Sequence, residues 1–234
     1  MPQPNSPVEP LTFPVAERFV SINGEGPYAG ELAAFVRFTG CNLACSYCDT
    51  AWANEPDAPA EFLSSADIRR FVQDAGVRRV TLTGGEPLLQ PGIDALLGHL
   101  LCEGGLAVEV ETNGAVSIQQ ALSCADAGEC LAITMDCKLP SSGMHGFMRE
   151  ENYALLRPCD TVKFVIGDEG DFPVVLDTVR RHNLLSRCHV HLSPVFGQME
   201  AARIVEFMRD AKLNGATLRP QLHKWVWPGV EKGV

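Results

Sequence analysis

"AAFVRFTGCNLACSYCDT", residues 33–50, runs from an apolar, β-branched stretch through a Thr-Gly turn into three cysteines, Cys41, Cys45 and Cys48. The first half reads as a strand, and the cysteine loop starts where that strand stops. The same event recurs down the chain. "VRRVTLTGG" (77–85) is a strand ending in glycines, and 106–114, 131–138, 161–167 and 188–195 are further strand candidates, each followed by a short polar or Gly-containing turn. Helical patterns fill the gaps at 64–76, 92–105, 117–125, 172–184 and 199–215. In the first of them Ser64 or Ser65 caps, Ile68, Phe71 and Val72 make one apolar face, and Gly76 stops the helix. Residues 216–227 read as a last strand or strand-like tail, and the Pro-rich residues 1–12 as a loose arm.

Strand then helix, five or six times over, specifies an α/β fold with a parallel sheet and crossover helices. About six such units are too few for a closed eightfold TIM barrel. A partial, TIM-like barrel or an open doubly wound sheet remains, and in either the ligands gather at the carboxyl ends of the strands. The cysteine loop, "TGGEP" (83–87), "ETNG" (111–114), "DCK" (136–138) and "SPVF" (193–196) all stand at such ends. One domain spanning 1–234 is expected.

The 234 residues carry a net charge of −10, with 46% hydrophobic and 21% charged side chains. That is ordinary globular composition. It offers no basic footprint for nucleic acid or an anionic membrane surface. There is no apolar run long enough to span a bilayer and no signal-peptide pattern at the N-terminus, so a cytoplasmic protein with no membrane partner is expected. Nine cysteines there point to reduced thiols or metal ligands rather than disulfides.

Four readings compete for the C-x3-C-x2-C triplet. A structural zinc site asks for four ligands, commonly in two C-x2-C pairs, and the next cysteine, Cys102, lies far along in a helical pattern. A disulfide leaves one thiol over. Unliganded buried cysteines are the plain alternative. A [4Fe–4S] cluster is usually held by four thiolates; with three, one iron keeps an open position for a ligand. The open iron accounts for the number three.

The triplet resembles the signature of the radical S-adenosylmethionine (SAM) superfamily. Tyr47 just before the third cysteine and the "TGGEP" turn are similar to further motifs of that superfamily. Within it, "SINGEGPYAGELAAFVRFTGCNLACSYCDT" (21–50), "TGGEP", "ETNG", "DCK" and the tail "PQLHKWVWPGVEKGV" (220–234) resemble the 7-carboxy-7-deazaguanine synthase family, over most of the chain and most weakly between 140 and 160. The resemblance implies a radical SAM core built as an incomplete barrel. It implies a lyase that turns 6-carboxy-5,6,7,8-tetrahydropterin into 7-carboxy-7-deazaguanine with loss of ammonia, in queuosine and 7-deazapurine biosynthesis. The cofactors it implies are a [4Fe–4S] cluster, SAM and Mg2+; the partners, a flavodoxin or ferredoxin reductant and a second copy of the chain.

Residue by residue, it puts the cluster on Cys41, Cys45 and Cys48, and Mg2+ on Thr50. It puts SAM against Tyr47, Gly84, Gly85, Glu86, Asp136, Cys137, Lys138 and Ser193. It puts the pterin against Ile22, Asn23, Gly24, Glu25, Arg37, Thr83, His223 and Val234, with the tail 216–234 closing over the substrate. Asn23 departs from the Gln or Glu that many members carry. The residue types suit the chemistry: Arg37 offers a planar fork to a carboxylate, and a hydroxyl with substrate oxygens and waters is a set Mg2+ accepts.

Bland alternatives stand beside these. Arg37 also reads as an ion-pair partner and Glu25 as part of a turn. His189 and His191 share a strand face and read as core or surface, Trp225 and Trp227 as core or dimer contacts. Cys102, Cys124, Cys130, Cys159 and Cys188 read as ordinary buried residues. The competing functions are a glycyl-radical-enzyme activase, whose third cysteine would be followed by His-Asn rather than Asp49-Thr50, and a non-catalytic zinc-binding protein.

Overall fold

The computed structural model describes residues 11–102, 105–125, 130–230 and 232–234. Nine strands form one sheet: β1 (Thr12–Ile22), β2 (Leu32–Phe38), β3 (Glu61–Ser64), β4 (Arg79–Gly84), β5 (Ala107–Thr112), β6 (Leu131–Cys137), β7 (Thr161–Ile166), β8 (His189–Pro194) and β9 (Ala216–Leu218). Their spatial order is β3-β1-β2-β4-β5-β6-β7-β8-β9. From β2 to β9 every pairing is parallel, whereas β1 runs antiparallel to both β2 and β3. The sheet is not closed: β3 and β9 are its edges. This is the incomplete barrel, with helices α1 (Ser65–Asp74), α2 (Ile93–Cys102), α3 (Gln119–Leu122), α4 (Glu151–Leu155), α5 (Phe172–Arg181), α6 (Ala201–Asp210) and α7 (Leu222–Val226) between and after the parallel strands.

The strands alternate strictly between two environments. Val80, Leu82, Val108, Val110, Ile133, Met135, Val162, Phe164, Val190 and Leu192 form a buried core with Ile68 and Val72 of α1, Leu96, Leu97 and Leu100 of α2, Val175 and Val179 of α5 and Ile204 of α6. The residues between them are polar. Thr81 is in register with Glu109, Glu111 with Thr134, Thr134 with Thr161, Asp136 with Lys163, and Lys163 with His191. The concave face of this sheet is therefore lined by hydroxyls and charges, and its convex face by hydrocarbon.

Differences from the sequence reading are local. Of the assigned arm 1–12, residues 1–10 lie outside the described residues, and Thr12 already belongs to β1. β1 and β3 escape the sequence pattern because Pro14, Glu17 and Arg18 interrupt the apolar alternation, and β3 has only four residues. A bulge after Val15 brings Glu17 opposite Arg37. The segment 117–125 holds a helix of only four residues, and 216–227 divides into the short β9 and the helix α7. Ser64 caps α1 in a capping box with Asp67. Cys130 and Cys159 are exposed, against the reading of them as buried, while Cys124 and Cys188 are half-buried and pack against the core. Trp225 is 81% exposed, so it is not a core residue.

Candidate active site

One cavity opens at the carboxyl ends of the parallel strands, and Cys41, Cys45 and Cys48 form part of its wall. All three are free, half-buried thiols. The loop carrying them is pinned to the turn after β6: Ser46 donates through its backbone N–H to Ser142 O (3.1 Å) and through its hydroxyl to Ser141 O (2.8 Å). Tyr47 reaches across the opening and donates to the carbonyl of Val165 on β7 (3.0 Å). Its burial pushes the phenol up to about 12. Burial also raises the Cys45 thiol; Lys138 opposes this, and the nearby Cys48 and Cys41 add to it. Two N–H groups point at the Cys41 sulfur, from Leu43 (3.5 Å) and from the side chain of Asn113 (3.5 Å). Three thiols round one opening, with N–H donors to a sulfur, are the donor set of a [4Fe–4S] cluster that leaves one iron for a small-molecule ligand.

Beside the thiols, β4 ends in the Gly84-Gly85 turn. Gly85 N donates to Phe38 O (3.0 Å), and Glu86 N to Gly40 O (2.8 Å). The two strand ends are in backbone contact, and glycine is required there. A Cβ on Gly85 would stand 1.8 Å from the Gly40 carbonyl, and one on Gly84, at φ +124°, would stand 2.3 Å from the Phe38 carbonyl. Asn54 lines the same corner, and its Oδ1 is buried without a hydrogen-bond partner. A bare glycine cradle next to an unpaired acceptor fits a ligand that brings an amino group, as SAM does.

The far wall is charged. Lys163 of β7 pairs with Glu25 from the β1–β2 loop and with Asp136 of β6 (2.9 Å), and Asp136 also pairs with Lys138. Burial works against Asp136, but Lys138 and Lys163 overcome it and hold its carboxyl at about 2. Burial likewise opposes the charges of Lys138 and Lys163; their carboxylate partners prevail and raise both. Glu111, between these groups, goes the other way: burial and the Glu25 carboxylate push it up to about 8 in spite of Lys163. Arg37 lines the cavity while its Nε donates to Glu17 (2.7 Å), which fixes the plane of the guanidinium. Glu17 also accepts from Gly233 N (3.2 Å), and Lys232 lies 3.9 Å from the Trp52 ring centroid, so the tail is fastened to both β1 and the cysteine loop. His223 and Val234 line the cavity from that tail. Burial lowers the His223 imidazole, with Asp49 acting against the shift.

Comparison with known proteins names this arrangement. The Radical SAM superfamily profile matches residues 35–181. A 7-carboxy-7-deazaguanine synthase of Clostridium acetobutylicum is 45% identical over 224 residues, covering 96% of this chain and 100% of the relative. A second, from Chlorobaculum tepidum, is 34% identical, covering 94% and 96%. The chain belongs to the 7-carboxy-7-deazaguanine synthase family. Among solved structures, QueE from Escherichia coli superposes with a TM-score of 0.66 over 90% of this chain and 94% of that one, at 20% identity, which is a likeness of fold. As a radical SAM protein, a member of this family uses a [4Fe–4S] cluster and SAM, and the thiol triplet and glycine cradle fit both.

In this synthase the cavity wall includes Ile22, Gly24, Glu25, Arg37, Thr50, Thr83, Gly84, Gly85, Asp136, Lys138 and His223, together with Tyr47, Val234 and the three cysteines. Four side chains expected there are not part of that wall. Asn23 turns its amide down to Glu109. Glu86 is fully buried and accepts from Leu88 N (3.0 Å), Thr112 Oγ1 (2.7 Å) and Asn113 N (2.7 Å), so its carboxylate ties strand ends together rather than facing a ligand. Burial raises it to about 6. Cys137 points to the core, where Tyr153 donates to its sulfur (3.2 Å). Ser193 is buried on the concave face with its Oγ unpaired.

Thr50 Oγ1 lies 3.6 Å from Cys48 Sγ. Among the described residues no group of three or more His, Cys, Asp or Glu, the three cysteines included, is arranged to hold a single metal ion. The thiol triplet therefore suits a cluster of several irons rather than one ion, and any Mg2+ at Thr50 would take most of its ligands from substrate and water. His191 is buried, and burial lowers it to about 4. The sequence reading missed Glu17, Asn54, Glu111, Asn113 and Lys163. For Glu111 and Asn113 a signal existed, since "ETNG" stands at a strand end.

Proposed function

We propose that this chain converts 6-carboxy-5,6,7,8-tetrahydropterin to 7-carboxy-7-deazaguanine with release of ammonia, a step of queuosine and 7-deazapurine biosynthesis. The observation that carries the reading is the joining, in one cavity of a chain 45% identical to a 7-carboxy-7-deazaguanine synthase, of a three-thiol wall with a separate charged wall. When bound, the reduced cluster and SAM supply a 5′-deoxyadenosyl radical that removes the C6 hydrogen of the pterin.

The chain's own residues do the rest. Gly84 and Gly85 leave room for the methionine end of SAM, Asn54 Oδ1 accepts from its amino group, and Tyr47 flanks the adenine. Asp136 and Lys138 line the SAM side, and Cys137 and Ser193 contribute backbone or buried polar contacts behind it. Arg37, aligned by Glu17, receives the pterin carboxylate as a bidentate fork. Ile22, Gly24 and Glu25 meet the pterin edge, with Lys163 behind Glu25. Thr83 and His223 flank the ring, and Val234 closes the opening. Glu111, neutral near pH 7, holds a proton on its carboxyl at the cavity floor and can donate it to a ring nitrogen.

Mg2+ at the Thr50 hydroxyl completes its shell with substrate oxygens and water. We read 1–234 as one catalytic unit whose tail, 216–234, shields the reaction from solvent. Among the described residues no helix is long and apolar enough to cross a membrane. A cytoplasmic homodimer reduced by flavodoxin or ferredoxin completes the reading.

The test is an anaerobic turnover. Iron-reconstituted protein, SAM, Mg2+, dithionite and the carboxy-tetrahydropterin are combined, and products are read by mass spectrometry. The expected result is 7-carboxy-7-deazaguanine, absent with Cys45→Ala. Formation of 5′-deoxyadenosine without that product would discard the substrate and keep the radical chemistry.

A further inference from the structure

The loop between β1 and β2 is short of contacts with its own strands. Its neck is closed by Asn23 N to Glu31 O (2.7 Å) and Gly30 N to Asn23 O (2.7 Å). Its remaining supports come up from the concave face of the sheet. On the outer limb, Arg79 of β4 donates to the Glu31 carboxylate (2.6 Å) and stacks over the Tyr28 ring at 3.4 Å. On the inner limb the supports are Lys163 of β7, paired with Glu25, and Glu109 of β5, which is 2% exposed. One carboxylate oxygen accepts from the Asn23 amide and the other from the Thr134 hydroxyl of β6. The same carboxylate lies directly under Gly26: a Cβ there would stand 1.9 Å from Glu109 Oε1 and 2.7 Å from Thr134 Oγ1. Gly26 has φ +66°, so both its conformation and its clearance exclude a side chain.

Asn23 and Gly26 bracket Gly24 and Glu25, the two loop residues that line the cavity. We infer that Glu109, itself outside the cavity wall, is a positioning residue of this synthase's substrate loop, acting on the backbone to either side of the Glu25 that Lys163 holds. By gripping Asn23 and seating Gly26 it sets where Gly24 and Glu25 meet the pterin. The inference rests on the assignment of that loop to the substrate.

Asn23 has a role here that a ligand contact would not explain. Its amide is spent on Glu109, and the loop presents its backbone and Glu25 to the cavity instead. The grip holds in either protonation state. Ionised, the carboxylate accepts from both partners; protonated, it keeps one oxygen for the Asn23 amide while its O–H donates to the Thr134 hydroxyl, which can accept. Several charged groups face Glu109. Glu25 of the loop raises it and Arg79 of β4 lowers it, while Glu111, next along the same face and beside Lys163, is itself raised by Glu109. Burial is the largest influence and, against the Thr134 and Asn23 hydrogen bonds, brings Glu109 up to about 7. Both forms hold Asn23, so the loop stays gripped as pH falls through about 7.

The experiment uses cluster-loaded protein and two readouts, amide hydrogen exchange over residues 22–31 and steady-state turnover of the carboxy-tetrahydropterin. Glu109→Ala is expected to speed exchange in the loop and raise KM for the pterin about tenfold, the loss of one charge-assisted hydrogen bond. SAM cleavage without pterin should stay near wild type. Asn23→Ala should give the same effect, and the double variant no more than either alone. Glu109→Gln keeps one acceptor for Asn23 and gives Thr134 a donor, as protonated Glu109 does, so it should hold KM near the wild-type value at both about pH 8 and about pH 6. Unchanged exchange in Glu109→Ala and Asn23→Ala would overturn the inference while leaving the loop's substrate role intact. Faster exchange with unchanged KM would overturn it by showing that the loop does not meet the pterin. If Glu109→Ala does not fold, loop exchange and KM in Asn23→Ala and Glu109→Gln decide the same question: both raised in the first and near wild type in the second supports the inference, and no change in the first overturns it.

Discussion

The two walls of the cavity are built from different materials. Around the cysteines, position is set by backbone against backbone: Gly85 against Gly40, Gly84 against Phe38, Ser46 against Ser142. Across the opening, position is set by side-chain charge: Glu25, Lys163, Asp136 and Lys138 in a chain, and Arg37 held by Glu17. The first wall tolerates no added atom and is indifferent to pH. The second tolerates changes of shape but depends on every proton. A cluster and a sulfonium cofactor common to many reactions need fixed geometry, whereas a single polar substrate is selected by charge.

The comparison can be broken most forcefully at Lys163. Lys163→Met leaves Glu25 and Asp136 facing each other without their shared cation, and should cost about 3–5 kcal/mol of stability, the range for stripping one partner from a buried pair. Thermal unfolding of the cluster-loaded protein measures it; a loss below about 1 kcal/mol, the level of an exposed pair, would mean the charged wall is not structural. Next comes the steric wall. Gly85→Ala must push away Gly40, the neighbour of Cys41, so turnover should fall at least about a hundredfold, as a displacement of about 1 Å at a reacting group does, and iron content should fall with it. Near-normal turnover would remove the argument for close backbone approach.

Arg37→Ala sharpens the division rather than breaking it. KM for the pterin should rise about tenfold while cluster content and SAM affinity hold, because a charge-assisted contact is lost from one wall only. Loss of the cluster in that variant would place Arg37 on the other wall. A graded effect follows from the raised carboxyls. Glu111 has a folded value of about 8 against an ordinary 4.5, so the folded state binds the extra proton between those limits. Its contribution is fully present below pH 4.5 and is lost as pH rises through about 8. The melting temperature should fall from pH 6 to pH 9, and Glu111→Gln should flatten that slope. The smallest expected effect is at the tail: Lys232→Ala removes one exposed cation–π contact and should slow turnover by only about two- to fivefold.

Much of this architecture was legible in the order of residues. Alternating strands and helices gave the incomplete barrel because parallel strands under helices carry a period of two that no single substitution erases. The cysteine loop and glycine turn were legible because their chemistry is local. What escaped depends on register between distant strands. Lys163 reads as a routine polar residue of β7 until Glu25, 138 positions away, is folded over it. Asn23 reads as a ligand contact until Glu109 is found beneath it. The direction of the Cys137 side chain was legible, since two-residue alternation already puts Asp136 and Lys138 on one face of β6 and Cys137 on the other, leaving only its backbone to the cavity side.

Glu111 and Glu109 also have a calorimetric consequence. With values of about 8 and about 7, they store protons at neutral pH in a cavity that a charged substrate must enter. An arriving carboxylate and pterin ring change the field at both groups, so binding exchanges protons with the buffer. Titration heats measured in buffers of different ionisation enthalpy should then differ by an amount that counts those protons, and the count should fall in the Glu111→Gln protein.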